Sequence, residues 1–358
     1  MSESHDQFIL PLSSDPALRL QYMNWQGFAR FGRLLEDLDT FAVWLSYRHN
    51  QGAGSIGHEP NHPPMRIVTA CVDQILLRSR KILHDRDIAL EGHVSWVGRT
   101  SIEATVQLLQ QPNDTDKWTQ VLHAKFVMVA MHPTEQKGVA VHPLEARSQE
   151  EQKIIDLGDE LKRRRKTESQ TSLLKIAPTE EERLHLHDLF LMTLDEERVS
   201  FRHRVLPPGY AWIEDAKLKN VIVCFPEQRN LYNKIFGGFL MRQGFELAWA
   251  NASLFSKGVP YIIGVDNIMF RKSVDIGSIL LLSSEVTYSD GERMQVRVHA
   301  EVVSPDTHQR KTTNTFNFTF GLRRGLSVPK LMPRTYADGM LYLNGRRHYD
   351  DVTKHVAM

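Results

Sequence analysis

Val94-Ser-Trp96, a short turn and Ser101-Ile-Glu-Ala-Thr-Val-Gln-Leu108 form a stretch that returns as Val286-Thr-Tyr288, a short turn and Arg293-Met-Gln-Val-Arg-Val-His-Ala300. Both copies alternate apolar and polar residues over about eight positions, which is typical of half-buried antiparallel strands. At a constant offset of 192 positions the apolar residues coincide: Ile102, Ala104 and Val106 with Met294, Val296 and Val298. A repeat this long indicates a duplicated domain rather than a solenoid unit.

A stretch with helical periodicity precedes each copy. After Gly32 the apolar stripe is Leu34, Leu38, Phe41, Ala42 and Leu45, and after Gly237-Gly238 it is Leu240, Gly244, Leu247 and Ala248. Apolar residues three and four positions apart lie on one face of a helix. A helix followed by long strands, given twice, predicts an α+β fold in which each antiparallel sheet wraps round one helix. A site between the halves would draw residues from both.

The chain of 358 residues is long enough for one or two sizeable cores. We predict a lead-in at 1–28, a first domain at 29–142, a charged helical linker at 143–205, a second domain at 206–323 and a tail at 324–358 that packs on the body through Tyr336, Met340 and Tyr342.

Composition excludes several classes of protein. The formal net charge of +1 gives no reason to expect a nucleic-acid partner. No apolar run is long enough to span a bilayer, so we expect no stable membrane insertion. Cys71 and Cys224 are predicted to be buried free thiols in a reducing compartment. The N-terminal residues match neither a secretory signal nor a transit peptide.

Two weaker motifs have ordinary explanations. His58 and His62 have a spacing that a metal ion accepts, but no cysteine or carboxylate cluster accompanies them, and we predict no metal site. The basic run at 162–166 matches a nuclear signal or a phosphate-binding patch, and a solvated helix face explains it better.

The pair Gly237-Gly238 at a helix start is the first candidate for chemistry. Free amide N–H groups at a helix N-terminus carry partial positive charge, and glycine lets a ligand approach the backbone. Such amides can hold the oxyanion of an acyl-transfer reaction. A tight turn with close helix–sheet packing is the structural alternative, and two glycines alone favour that alternative.

Asp39 is the second candidate, because it borders the apolar stripe of the first helix. An acid in that position is costly unless it is paired or useful, and both readings remain open. Glu36 and Asp37 are predicted to be solvent-exposed. In the second helix Glu246 has Arg242 four residues earlier as an available ion-pair partner. We therefore expect one competent site, with an acid from the first half facing the glycine pair of the second.

Four stretches carry a resemblance to a known family: Arg30-Phe-Gly-Arg-Leu-Leu-Glu-Asp-Leu-Asp39, Gly92-His-Val-Ser-Trp-Val-Gly-Arg-Thr-Ser-Ile-Glu103, Lys234-Ile-Phe-Gly-Gly-Phe-Leu-Met-Arg242 and Val265-Asp-Asn-Ile-Met-Phe270. The chain resembles the double hotdog acyl-CoA thioesterases over nearly its whole length. The resemblance implies a tandem hotdog fold, two curled antiparallel sheets each wrapped round a central helix. It also implies hydrolysis of acyl-CoA to fatty acid and coenzyme A without a metal or other cofactor.

The resemblance also implies residue roles. Asp39, seven residues after Gly32, would activate water or attack the thioester, and Gly237 and Gly238 would hold the thioester oxygen. Asn233 or Asn230 would orient the water. The predicted substrate-binding residues are Arg99, Thr100, Ser101, Lys234 and Phe236. The first three lie in a turn that resembles the family's turn near the coenzyme A chain, where Arg99 is expected to reach a phosphate. A homo-oligomer and a mitochondrial location are further implications.

The departures from the family pattern limit the chain to one site. Phe245 stands where the second half should carry its aspartate, and Glu246 is one residue out of register, about 100° round a helix. Phe31 replaces the first glycine of the other pair. Two alternatives stay open. One is a hotdog hydratase, which needs a histidine where Phe236 stands, and the other is an inactive acyl-CoA-binding or sensing protein.

Overall fold

The computed structural model describes residues 1–51, 65–111, 117–135, 137–195, 197–198 and 200–356. The α-helices within these ranges are α1 (Pro16–Tyr22), α2 (Phe31–Gln51), α3 (Gln149–Gln170), α4 (Glu180–Leu191), α5 (Gly237–Ser256) and α6 (Tyr336–Val356). The strands are β1 (Asp6–Leu10), β2 (Arg66–Leu77), β3 (Ile88–Val97), β4 (Ser101–Gln110), β5 (Thr119–Met131), β6 (Tyr210–Trp212), β7 (Lys217–Val223), β8 (Tyr261–Phe270), β9 (Ile279–Asp290), β10 (Arg293–Val303), β11 (Arg310–Gly321) and β12 (Lys330–Met332).

Within the described ranges, ten strands form one sheet in the order β1-β3-β4-β5-β2-β8-β11-β10-β9-β7. Every neighbouring pair in it is antiparallel. Four strands lie on each side of the β2–β8 pair with the same arrangement in both halves, and that pair joins the halves from Cys71 opposite Met269 to Leu76 opposite Gly264. The predicted α+β fold with two helix-and-sheet halves is confirmed.

The two predicted helices, α2 and α5, pack side by side on one face of this sheet. The apolar stripe of α2 is buried, with Leu34, Leu38, Ala42 and Leu45 fully inaccessible. In α5 a β-carbon on Gly244 would lie only 3.0 Å from the Phe316 ring, so the small residue lets the helix sit close to β11. Burial of each large apolar side chain stabilises the fold by about 1.5–3 kcal/mol.

Helices α3 and α6 cover parts of the opposite face. Gly158 of α3 packs directly on Trp96, whose indole Nε1 donates to Asp159 at 3.0 Å. The basic run predicted to be a solvated face is mostly exposed, but Arg165 pairs with Asp73 of β2. Packing of α3 on the sheet brings this arginine inward.

The chain ends were predicted least well. The lead-in contains α1 and also β1, which pairs with β3 and so belongs to the first half of the sheet. The tail is the long helix α6, where Tyr342 is buried as predicted. The prediction is wrong for Tyr336, which is 73% exposed because it begins α6 beyond its contact with the sheet. The domain bounds themselves stay predictions.

Candidate active site

Asp39 lies in the middle of α2, where the start of α5 packs against it, and it is only 1% exposed. The Thr69 hydroxyl of β2 donates to Oδ1 of Asp39 at 2.6 Å. Burial raises the pKa of Asp39 to about 6, although the Thr69 hydroxyl and the backbone amide of Gly238 act to lower it. A carboxyl group in this state exchanges a proton near neutral pH, which a general base requires.

The two glycines at the start of α5 have different environments. A β-carbon on Gly237 would lie 3.1 Å from Oδ2 of Asp39, so this glycine lets the carboxylate approach the helix N-terminus. A β-carbon on Gly238 would lie 2.8 Å from the Cα of Glu36, which makes Gly238 the point of backbone contact between α5 and α2. That these amides hold the substrate oxygen stays a prediction, and the Gly238 amide acts to lower the pKa of Asp39.

A cleft of about 1080 Å³ opens in front of Asp39 and Gly237, and we call it the central cleft. Its walls come from α2, the start of β2, the loop at 229–236, the segment after β8 and the β10–β11 turn. Both halves of the chain therefore contribute. The apolar lining includes Val43, Ile67, Leu240, Phe270, Val274 and Val302.

Cationic side chains from several distant segments also line the central cleft: Arg66, Arg229, Lys234, Arg271, Lys272 and Lys311. The backbone N–H of Arg271 donates to the carbonyl of Thr313 at 2.9 Å, so Arg271 lies beside the start of β11, where Lys311 is found. Lys234 forms an ion pair with Asp275. The cleft thus joins an apolar lining and a buried acid to a positively charged rim.

Two tyrosines link the halves across the central cleft. The hydroxyl groups of Tyr47 in α2 and Tyr232 in the second half form a hydrogen bond. Tyr47 Oη also accepts from the Ile67 N–H at 3.1 Å, and Tyr232 donates to the Met65 carbonyl at 3.3 Å. This chain of hydrogen bonds fixes the loop at 229–236 against the first half.

No protein-family model matches the chain. Mouse mitochondrial acyl-coenzyme A thioesterase 9 is 45% identical over 359 residues, which cover 100% of this chain and 80% of the mouse protein. The human protein of the same name is 46% identical over 354 residues, 99% of this chain and 78% of that protein. The chain belongs to the acyl-CoA thioesterase family. An acyl-CoA hydrolase structure from Staphylococcus aureus, 19% identical, covers 41% of this chain and 92% of its own, with a TM-score of 0.39.

The residues that the family resemblance assigned to the second half meet at the central cleft. Phe236 caps α5 with its ring against Gly238, and Lys234 lies at the rim. Asn233 is exposed and adopts a left-handed backbone conformation with φ of 55°. Asn230 is half-buried, and its Oδ1 accepts from the N–H groups of Tyr232 at 2.9 Å and Lys234 at 3.2 Å. The amide group of Asn230 is therefore oriented, whereas the side chain of Asn233, which also lines the cleft, has no hydrogen bond to a described residue.

The three residues expected to contact coenzyme A from the first half do not line the central cleft. Arg99, Thr100 and Ser101 form the β3–β4 turn, which β4 and β5 separate from β2. The carbonyl groups of Arg99 and Thr100 accept from Val141 and Ala130, so the segment after β5 covers this turn. Arg99 is exposed. Their predicted roles find no support in this arrangement.

Several features of the site were not predicted. Thr69 and the cations other than Lys234 come from segments far apart in sequence, so no local motif marks them. Glu36, predicted to be exposed, is 8% exposed and accepts from Arg33 at 2.5 Å, because α5 packs over it.

The described residues contain no cluster of three or more metal-ligating side chains, and His58 and His62 lie outside them. No helix in the described ranges is long and apolar enough to cross a membrane.

Proposed function

We propose that this protein hydrolyses fatty acyl-CoA to a free fatty acid and coenzyme A. The observation that carries the proposal is the buried carboxyl group of Asp39, hydrogen-bonded to Thr69 and set against the N-terminus of α5 at the floor of a cleft that both halves form. The names of the 45–46% identical relatives support the same reaction class. A protein that only bound acyl-CoA would have no need for the buried carboxyl group of Asp39, whose burial costs free energy.

In the proposed mechanism the thioester carbonyl carbon lies between Asp39 and the start of α5. The N–H of Gly237 is the donor proposed for the thioester oxygen, because no described protein group accepts it and Gly237 lines the cleft. As general base, Asp39 takes a proton from water while the oxygen of that water attacks the carbonyl carbon. The C–S bond then breaks, and the proton passes to the leaving thiolate. Direct attack by Asp39 through a mixed anhydride is the second route.

Asn230, rather than Asn233, is the residue that we propose orients the water. The two backbone N–H groups that bind its Oδ1 leave the side-chain NH₂ group free to contact a ligand in the cleft. Thr69 acts as a positioning residue, since its hydroxyl fixes one carboxylate oxygen of Asp39 and leaves the other near Gly237.

The charged rim of the central cleft fits the phosphate groups of coenzyme A. Arg271, Lys272 and Lys311 lie at the β10–β11 side, where they provide charge-assisted hydrogen bonds. Acyl-CoA is accordingly the proposed partner. The mitochondrial designation of the animal relatives leads us to propose the same compartment, and a homo-oligomer stays a prediction.

The first test is substitution of the proposed base. Asp39→Asn should lower the rate of free-thiol release from acyl-CoA by about 10²–10⁴-fold, the usual contribution of a general base. Binding of coenzyme A, measured by calorimetry, should change less than threefold. A panel of acyl chains from two to eighteen carbons gives the substrate preference.

Asp37→Asn is the matched control for this test. Asp37 lies two residues earlier on the same helix, accepts from the Tyr22 hydroxyl at 2.8 Å and does not line the central cleft. Its substitution should leave hydrolysis within about threefold of the wild type. Full hydrolysis by Asp39→Asn would refute the assignment, and a wild-type protein that binds acyl-CoA without releasing thiol would favour the sensing alternative.

A further inference from the structure

A second pocket, with a volume of about 330 Å³, lies on the face of the sheet opposite α5. Asn251 of α5 donates to the Ser284 hydroxyl at 3.0 Å, so Ser284 faces α5 and its neighbours Ser283 and Glu285 face away. Strand register sets Lys217, Glu285 and Arg297 in one row across β7, β9 and β10, and Lys219, Ser283 and His299 in the next. We call the pocket over these six residues the outer pocket.

The floor of the outer pocket is an arginine without a matching acceptor. The side chain of Arg297 is only 21% exposed, yet within the described chain its guanidinium donates no hydrogen bond. The nearest carboxylate oxygen, Oε2 of Glu285, is 3.8 Å away, and Oε1 of the same residue is 3.2 Å from Lys217. The guanidinium N–H donors of Arg297 are therefore available to an acceptor that enters the pocket.

Further positive charge surrounds this guanidinium. Lys219 forms no ion pair with any described residue and lines the same pocket as Lys217 and Arg297, so Glu285 balances only part of the charge. Burial and the nearby Arg271 both lower the pKa of Arg297. The Nδ1 atom of His299 is also buried without a hydrogen-bond partner. The pocket therefore contains several donors and three cationic side chains, and Glu285 is the one carboxylate among its lining residues.

We propose that the outer pocket binds the phosphate group of a small phosphorylated molecule. A phosphate dianion presents the acceptor oxygens that the Arg297 fork lacks, and Lys219 and the Ser283 hydroxyl lie on the same face to complete its coordination. The volume exceeds what a phosphate ion alone needs and suits a small organic group attached to it. The outer pocket and the central cleft have no lining residue in common, so the proposed phosphate binding does not depend on the proposed hydrolysis.

Inorganic pyrophosphate is the probe for the test, added at constant ionic strength because exposed charge–charge attraction is screened by salt. The imidazole NMR signals of His299, assigned with the variant His299→Gln, should shift and saturate as pyrophosphate is added. Arg297→Gln should weaken this binding about tenfold or more, which is the loss of a charge-assisted hydrogen bond. Lys219→Gln, at an exposed position, should weaken it about threefold.

Arg310→Gln is the matched control. Arg310 is an exposed cation at the start of β11, beside the end of β10, and it does not line the outer pocket. It should change pyrophosphate affinity by less than about twofold. An unmoved His299 signal, or equal affinity in the wild type and Lys219→Gln, would overturn the proposal even if Arg297→Gln fails to fold. Thiol release by Lys219→Gln should equal that of the wild type, so failure of this site and failure of the proposed hydrolysis remain distinguishable.

Discussion

The duplicated halves of this acyl-CoA thioesterase family member create two equivalent positions between α2 and α5, of which the first opens on the central cleft and the second is packed with aromatic rings. At the first, Asp39 of α2 faces the start of α5 at Gly237. At the second, Phe245 of α5 faces the start of α2, where its ring lies 4.9 Å from that of Phe31. Both residues come seven positions after the corresponding glycine, Gly32 or Gly238. The first position is a polar site, and the second is part of the hydrophobic core.

The surroundings of each position changed together with the central residue. Thr69 pairs with Met128, and Ile262 pairs with Phe320, which lies 192 residues after Met128, so an isoleucine occupies the position equivalent to the hydroxyl that binds Asp39. Glu246, the acid of the second position, accepts from Arg30 at 2.6 Å and from Arg242 at 3.2 Å. Two guanidinium groups therefore engage the Glu246 carboxylate in ion pairs. Duplication therefore allowed one position to specialise in chemistry and the other in stability.

The sharpest test of this division is Phe245→Ala. The Phe245 ring also contacts Phe318 and Phe320, so the substitution leaves a cavity in the core of the second half. It should lower the free energy of unfolding by about 3–5 kcal/mol, the usual cost of a buried Phe→Ala change. Urea denaturation measures that change. A loss below about 1 kcal/mol would show that the second position is not a structural core.

Asp39→Asn should have the opposite effect on stability. Burial raises the folded-state pKa of Asp39 from 3.8 to about 6, so the folded state binds the proton more tightly than the unfolded state does. Ionisation then costs the folded state about 3 kcal/mol above pH 6, and this cost disappears below about pH 4, where both states are protonated. The Asn variant should therefore unfold at higher urea concentration at pH 7 and not at pH 4.

The quantity to compare is the difference in unfolding free energy between variant and wild type at each pH, because other groups also make the stability of both proteins depend on pH. Asp37 also has its pKa raised to about 6 by burial, and it contributes to the pH dependence of both proteins equally. Wild-type thiol release should rise as pH increases through about 6, since the ionised carboxylate of Asp39 is the proposed base. Equal stability of the two proteins at pH 7 would mean that the Asp39 carboxylate is well solvated.

The central helix and the inner strands of each half were predictable from sequence, and the edge strand of the first half was not. Ile102 and Met294 sit in strands of opposite halves because alternation and a constant offset are both visible in the chain. The edge strand β1 is short and exposes Phe8 and Ile9, so its pattern does not alternate in the expected way. Asp39 and Gly237 were predicted from helical periodicity and a helix start, but Thr69 reaches Asp39 only through the packing of β2 beneath α2.

The smallest expected difference in stability and activity is between alanine substitutions at the two helix starts, Gly238→Ala in α5 and Gly32→Ala in α2. A β-carbon at position 238 would lie 2.8 Å from the Cα of Glu36 and 2.4 Å from the Phe236 ring, so the start of α5 must move away from α2. Gly238→Ala should cost about 1–3 kcal/mol of stability, typical of overpacking, and should lower thiol release because the amides move away from Asp39.

Gly32→Ala is the matched substitution at the other helix start. The nearest atoms to its new β-carbon are Cγ of Arg242 at 3.1 Å and Oε1 of Glu246 at 3.3 Å, both on flexible side chains that can adjust. Alanine also favours a helix over glycine by about 1 kcal/mol, so the net change in unfolding free energy should stay within about 1 kcal/mol and hydrolysis should be retained. If both variants lose activity equally, the two helix starts act as one unit, and the proposed division of roles between the two positions is wrong.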